Sequence, residues 1–125
     1  MNRQESISRQ PLILLGGGYR YMKETGQIFV GINQVSKLGY QSNIIFERLV
    51  INSGFIVNKV ALAKVSGLIE TDYISDYDIR RVESTVRRIK KTLKIVDPKL
   101  ANRLKTVHLK GYYWNSSNSR SASMS

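Results

Sequence analysis

The chain has 125 residues, 42% of them hydrophobic, with no cysteine and a formal charge of +11. That length suits one domain with a core but without a large enclosed catalytic cavity. The absence of cysteine excludes a disulfide framework, a thiolate metal site and a cysteine nucleophile, and the charge narrows the partners to nucleic acid, an anionic membrane surface or an acidic protein.

Residues 1–10 are polar and read as a flexible arm, with one domain expected over 11–114. The four apolar residues after Pro11 are too few for a secretory leader, and no apolar run approaches the roughly 18 residues of a membrane span. A soluble, cytoplasmic chain is expected, with a membrane-tethered parent left open if the sequence is a piece of a longer protein. From 11 to 38, short apolar runs alternate with turn residues: "LILL" stops at Gly16–Gly18, "YRYM" at "KETG", and "QIFV" at Gly31 before "NQVSKL". Such spacing predicts a small antiparallel sheet.

The period changes at Tyr40. Ile45, Phe46, Leu49 and Val50 fall at helical spacing, with Gly54 expected as the C-cap. A second helix fits "NKVALAKVSG", with Asn58 as N-cap and Gly67 closing it. The segment 68–78, "LIETDYISDYD", holds four of the nine acids and reads as a loop. Ser75 and Asp78 match a capping box for the helix that follows. That third helix should end near Asp97-Pro98, because proline disfavours the helical conformation of the residue before it. Residues 99–103 read as a basic connection, and "LKTVHLKGYYW" as two strands with Gly111 at the bend. The tail 115–125 is rich in Ser and Asn, without an apolar cluster, and is expected to be disordered.

The third helix is unusual in charge. Over residues 80–95, "RRVESTVRRIKKTLKI", there are seven Arg or Lys and one acid. Val82, Val86, Ile89 and Leu93 form a narrow apolar stripe, with Arg81, Ser84, Arg88 and Lys91 centred opposite and Arg80 and Arg87 beside them. A solvated helix face usually mixes charge signs for i,i+4 pairing, whereas residues 80–110 carry eleven basic and two acidic residues, a net of +9. Such concentration is costly alone and is relieved beside a polyanion. An outward basic helix after two shorter helices, followed by a basic hairpin, suggests a helix-turn-helix with a wing, the helix sized for the major groove of DNA.

Four stretches resemble the winged-helix DNA-binding domain of OmpR/PhoB-type regulators: "SKLGYQSNIIFERLV", "GFIVNKVALAK", "VESTVRRIKKTL" and "LKTVHLKGYYW". Each is weak alone; four in the family's order, over about residues 12–114, are fairly specific. The resemblance implies an α+β winged helix-turn-helix with a small N-terminal antiparallel sheet, three helices and a C-terminal hairpin. It also implies double-stranded DNA binding by a transcriptional regulator, often as paired or tandem copies. Position by position, Arg81, Thr85, Arg87 and Arg88 fall where the family's recognition helix contacts DNA, Lys90 and Lys91 on its backbone-facing flank, and Thr106 and His108 on the wing. Ser84 shares the outward face, and Lys105 and Lys110 add phosphate-neutralising charge. The chain departs from the family at Ser42, where Glu is common, at Thr85, where His is common, and at His108, which replaces an arginine. "KLGYQS" and Leu109-Lys110 are closer to the membrane-tethered ToxR/CadC type, which carries a membrane span after this domain; this sequence carries a Ser-rich tail there.

The acidic loop has a family counterpart that can touch RNA polymerase, through Glu70 and Asp72 here, but helix capping and solubility account for its acids more simply. His108 has no second histidine or cysteine to make a metal site and reads as a surface strand residue. Tyr112, Tyr113 and Trp114 could stack on bases; packing of alternate rings onto helix three is the favoured reading. Gly16–Gly18 has no helix start directly after it and does not make a phosphate loop. No nucleophile–base pairing suggests an enzyme, and no cofactor is implied. The alternative function is a nonspecific RNA- or ribosome-associated protein, with an adaptor for an acidic protein third.

Overall fold

A computed structural model describes residues 12–66 and 73–116. Four strands come first: β1 (Ile13–Gly16), β2 (Tyr19–Met22), β3 (Gln27–Val30) and β4 (Asn33–Lys37). They pair antiparallel in chain order, β1-β2-β3-β4. The β1–β2 turn runs through Gly16, Gly17 and Gly18 with φ of 101°, 64° and 88°, a path that side chains with a Cβ resist. Leu15, Tyr21 and Ile28 point from this sheet into the core.

Three helices follow, α1 (Tyr40–Ile51), α2 (Lys59–Val65) and α3 (Asp76–Val96), then a short α4 (Pro98–Ala101) and the hairpin β5 (Leu104–Val107) and β6 (Gly111–Trp114). This is the expected winged helix-turn-helix. The expected apolar face of α1 is buried, with Ile45, Phe46, Leu49 and Val50 each at most 4% exposed. Its end differs from expectation. Asn52 caps it, the side-chain amide donating to the Arg48 carbonyl at 2.8 Å, so Gly54 is not the cap. Gly54 instead donates its N–H to the Trp114 carbonyl at 2.8 Å and ties this turn to β6.

The other helix ends follow local chemistry. Asn58 Oδ1 accepts the Ala61 N–H at 2.8 Å. Ser75 and Asp78 form the full capping box at α3. Asp97 ends α3, and its carboxylate accepts the Lys99 N–H at 2.9 Å and the Tyr19 hydroxyl at 3.0 Å. The basic connection read over 99–103 is partly helical, because Asp97 caps a new turn with Pro98 in its first positions. Gly67, the expected end of α2, the terminal arm and residues 117–125 of the tail lie outside the described residues. The first two tail residues are held: the Asn115 N–H donates to the Arg103 carbonyl at 2.8 Å, and the Ser53 and Ser116 hydroxyls are hydrogen-bonded at 2.7 Å.

The stripe of α3 docks as its spacing required: Val82, Val86, Ile89 and Leu93 are at most 4% exposed. Each such side chain contributes about 1.5–3 kcal/mol when buried. A like-charge i,i+4 pair on the opposite face costs roughly 0.2–0.5 kcal/mol, so the stripe holds the helix despite its charge. Behind it, Phe46 stands edge-on between Tyr21 and Trp114, with ring centroids 4.8 and 5.1 Å away. Alternate rings of β6 are buried as expected, Tyr112 and Trp114, but the ring neighbour of Trp114 is Phe46 on α1.

The hairpin bend is also displaced from expectation. The turn is His108–Lys110, closed by the Lys110 N–H donating to the Val107 carbonyl at 2.9 Å. Gly111 opens β6 with φ 143° and lies against the backbone of Val57 and Asn58. Val57 and Tyr112 exchange backbone hydrogen bonds of 2.8 and 3.0 Å beside it, so the wing is fixed to the α1–α2 connection.

Candidate nucleic-acid interface

The stripe that seats α3 decides what the rest of that helix presents. Arg81, Ser84, Arg87, Arg88 and Lys91 are exposed on its outer side, and Lys90 is half-buried toward the hairpin. Among the described residues, none of these five cations forms a salt bridge. The one acid in the stretch is committed elsewhere: Glu83 Oε2 takes the Lys59 ammonium at 2.5 Å. That hydrogen bond, with the charges of Lys59, Arg87 and Arg80, holds the Glu83 carboxyl below its ordinary pKa against a smaller effect of burial. Glu83 therefore fastens the start of α2 to α3 and leaves the outer face positive.

Arg81 is held in place by a neighbour that the sequence reading passed over. Its guanidinium lies 5.6 Å from the centroid of the Tyr77 ring, one helical turn back. The i,i+4 spacing of Tyr77 and Arg81 was the available signal.

Between α3 and the hairpin runs a groove of about 260 Å³, lined by Glu83, Val86, Arg87, Lys90, Thr106 and Tyr112. The structure thus brings together Arg87, Lys90 and Thr106 from two separate elements. A second cleft, of about 350 Å³, opens on the α4 side and is lined by Arg87, Lys90, Lys91 and Lys94 with Pro98, Ala101 and Asn102. Lys94 extends the basic surface beyond the residues picked from sequence, and the neutral Asn102 lines the same cleft. Lys94 follows Lys90 at i+4, whereas Asn102 carries no charge to mark it.

Two of the sequence-picked residues stand apart. Thr85 is buried, at 8% exposure, so its side chain is withdrawn from the outer face. Lys105 pairs with Tyr113, while Thr106 pairs with Tyr112; successive strand residues face opposite ways, so Lys105 lies on the hairpin face away from Thr106 and the groove. His108 and Lys110 are exposed in the connection between the strands. Glu70 and Asp72 lie outside the described residues. Among the described residues, no cluster of His, Asp and Glu could hold a metal ion, and no helix is long and apolar enough to cross a membrane.

Two carboxyls here set a pH dependence. Asp78 is held below its ordinary pKa by the Ser75 backbone N–H and hydroxyl, with Arg81 adding to the effect, and Glu83 is lowered by Lys59. A lowered folded pKa adds stability that is present above the unfolded value and is lost as pH falls through the folded one. Melting temperature followed from about pH 7 to about pH 3 should fall less steeply for Asp78→Asn and for Glu83→Gln than for the parent. Parallel acid limbs in all three proteins would show that neither carboxyl matters.

No protein-family model matches the chain, and no curated protein matches it in sequence. Its fold does match solved structures. The DNA-binding domain of Escherichia coli CadC superposes with a TM-score of 0.66 at 19% identity, over 86% of this chain and 94% of that one. The Klebsiella pneumoniae RstA DNA-binding domain, solved in complex with the RstA box, gives 0.62 at 24% identity, over 82% and 95%. DrrB of Thermotoga maritima, an OmpR/PhoB homologue, gives 0.63 at 21% identity, over 91% of this chain and 48% of that protein. The shared architecture is the winged helix of OmpR/PhoB-type and CadC domains, as the four sequence stretches implied.

Proposed function

We propose that the chain binds double-stranded DNA sequence-selectively as a transcriptional regulator, with α3 in the major groove and the β5–β6 hairpin on the backbone or the adjacent minor groove. The observation that carries this reading is the basic surface of α3: Arg81, Arg87, Arg88 and Lys91 on its outer face and Lys90 toward the hairpin, without salt bridges among the described residues, on a helix anchored by four buried apolar side chains. An α-helix of that diameter fits the major groove. The RstA DNA-binding domain, which has the same fold, was solved in complex with the RstA box, and that supports DNA binding by this fold. Arg81 and Arg88 are assigned to guanine O6 and N7, which a planar guanidinium contacts in bidentate fashion. Lys90, Lys91 and Lys110 are assigned to phosphates, with Lys105 a more distant contributor from the other hairpin face. Binding as paired or tandem copies, and a contact of Glu70 and Asp72 with RNA polymerase, rest on the family resemblance alone. A cytoplasmic location, with a membrane-tethered parent left open, goes with this reading and rests on it alone.

The test is selection of bound sequences from random duplexes at two salt concentrations, beside structured RNA as competitor. An enriched motif is the expected result. Salt-sensitive binding without a motif, or preference for RNA, would transfer the reading to a nonspecific RNA-associated protein. Lys91→Ala should weaken all duplexes alike and reduce the slope of log affinity against log salt by about 0.9. An unchanged slope would remove Lys91 from the phosphate contacts.

A further inference from the structure

The connection at the end of the wing has three residues, and its geometry singles out one. The Lys110 N–H reaches the Val107 carbonyl at 2.9 Å, closing a four-residue turn with His108 and Leu109 at its centre. Leu109 has φ 65°, alone among the described non-glycine residues in being positive. Where the third residue of such a turn has positive φ, Gly or Asn is the usual occupant, because a Cβ there crowds the backbone. No packing offsets that cost, since Leu109 is 86% exposed. A single exposed leucine is ordinary on a protein surface. One held in a disfavoured backbone conformation at a hairpin tip, between the exposed His108 and Lys110, is not.

We propose that Leu109 is the apolar wedge of the wing, entering the minor groove to pack on deoxyribose and base edges and to part a base step. His108 and Lys110 then lie beside the phosphates on either side. The proposal rests on the duplex-DNA reading above and adds to it how the wing recognises sequence. The minor-groove floor distinguishes little more than A·T from G·C by hydrogen bonding. An inserted apolar side chain senses instead how readily a step opens, which is easiest at flexible pyrimidine–purine steps. A cationic tip would read the groove's negative potential and weaken with salt; an apolar one does not.

The experiment uses the full chain and the duplex recovered by selection. Leu109→Gly and Leu109→Asn both accept the positive φ, so their melting temperatures should equal or exceed the parent's. Both should bind the selected duplex about tenfold more weakly, the order expected for burying most of a leucine side chain, with an unchanged salt slope and a smaller DNA bend. Leu109→Met, which keeps an apolar reach, should retain most of the affinity. Repeating the selection with Leu109→Gly should lose base preference at the wing end of the site and keep it under α3. Gly and Asn variants that bind as tightly as the parent overturn the wedge while leaving the duplex-DNA reading intact. Weakened binding with a flattened salt slope also overturns it, since the tip's role would then be electrostatic. A parent protein that selects no duplex overturns both.

Discussion

Arg88→Ala should bind the preferred duplex more weakly by about 1–3 kcal/mol and lose discrimination at one base position, with an unchanged melting temperature. Arg88 is exposed on the side of α3 away from the Val82, Val86, Ile89 and Leu93 stripe. Removing it opens no cavity and strips no partner of a salt bridge among the described residues. Its loss should therefore register in recognition and not in folding. The size follows from what a guanidinium does at guanine: two parallel donors on O6 and N7, a geometry that neither an ammonium nor a wrong base reproduces. Arg88→Lys separates charge from shape. It should keep much of the nonspecific affinity and lose the discrimination. The measurement is affinity for the selected duplex and its single-base variants, at two salt concentrations, for all three proteins. Equal weakening on every duplex would make Arg88 another phosphate contact and shift the base-reading role to Arg81.

Gly111→Ala should destabilise the fold by about 4 kcal/mol, the sum of an overpacking cost of about 1–3 and a backbone strain of about 1–3 kcal/mol. A Cβ at this position would collide with the Val57 carbonyl oxygen and stand 2.8 Å from Asn58 Cα and 2.9 Å from the Val57 carbonyl carbon. All three are backbone atoms, so no side chain can swing aside. The Val57 carbonyl belongs to the bridge in which Val57 and Tyr112 exchange hydrogen bonds, and relieving the clash breaks it. Against a typical stability of about 5–15 kcal/mol, the loss is large. Gly54→Ala is the control: φ is 87°, but no atom lies within 4 Å of its added Cβ, so only strain remains. Denaturant midpoints should separate the two variants clearly. Equal midpoints would mean that Gly111 is required for its backbone angle alone.

These two glycines mark the boundary of what was legible beforehand. Both stood where a local rule wanted a glycine, past a helix and in a hairpin, and both have a different task. Gly54 donates to Trp114, sixty residues later in the chain, and Gly111 lets Val57 approach; neither partner is visible from local pattern. Features decided within one turn were readable. Asn58, the Ser75–Asp78 box and the Asp97-Pro98 stop all behave as their side chains dictate. The same division runs through the candidate site. The outward arginines followed from the period of the stripe alone. Thr85 sits about 70° from the stripe's centre at 100° per residue, a border position whose burial depends on packing from neighbouring elements. Lys59 and Glu83 are 24 residues apart, and only the folded chain shows that the lone acid of the basic stretch is already occupied. Lys105 needed the strand register to show which face it takes.

Trp114, the chain's single tryptophan, is wholly buried against the edge of Phe46. An indole shielded in this way emits at short wavelength and reddens when water reaches it. The ring sits in the core where the wing meets α1 and not on the exposed outer face of α3, so its emission should follow unfolding and stay indifferent to occupancy of that face. One optical channel thus distinguishes a variant that has lost its grip on DNA from one that has lost its shape, without label or added reporter.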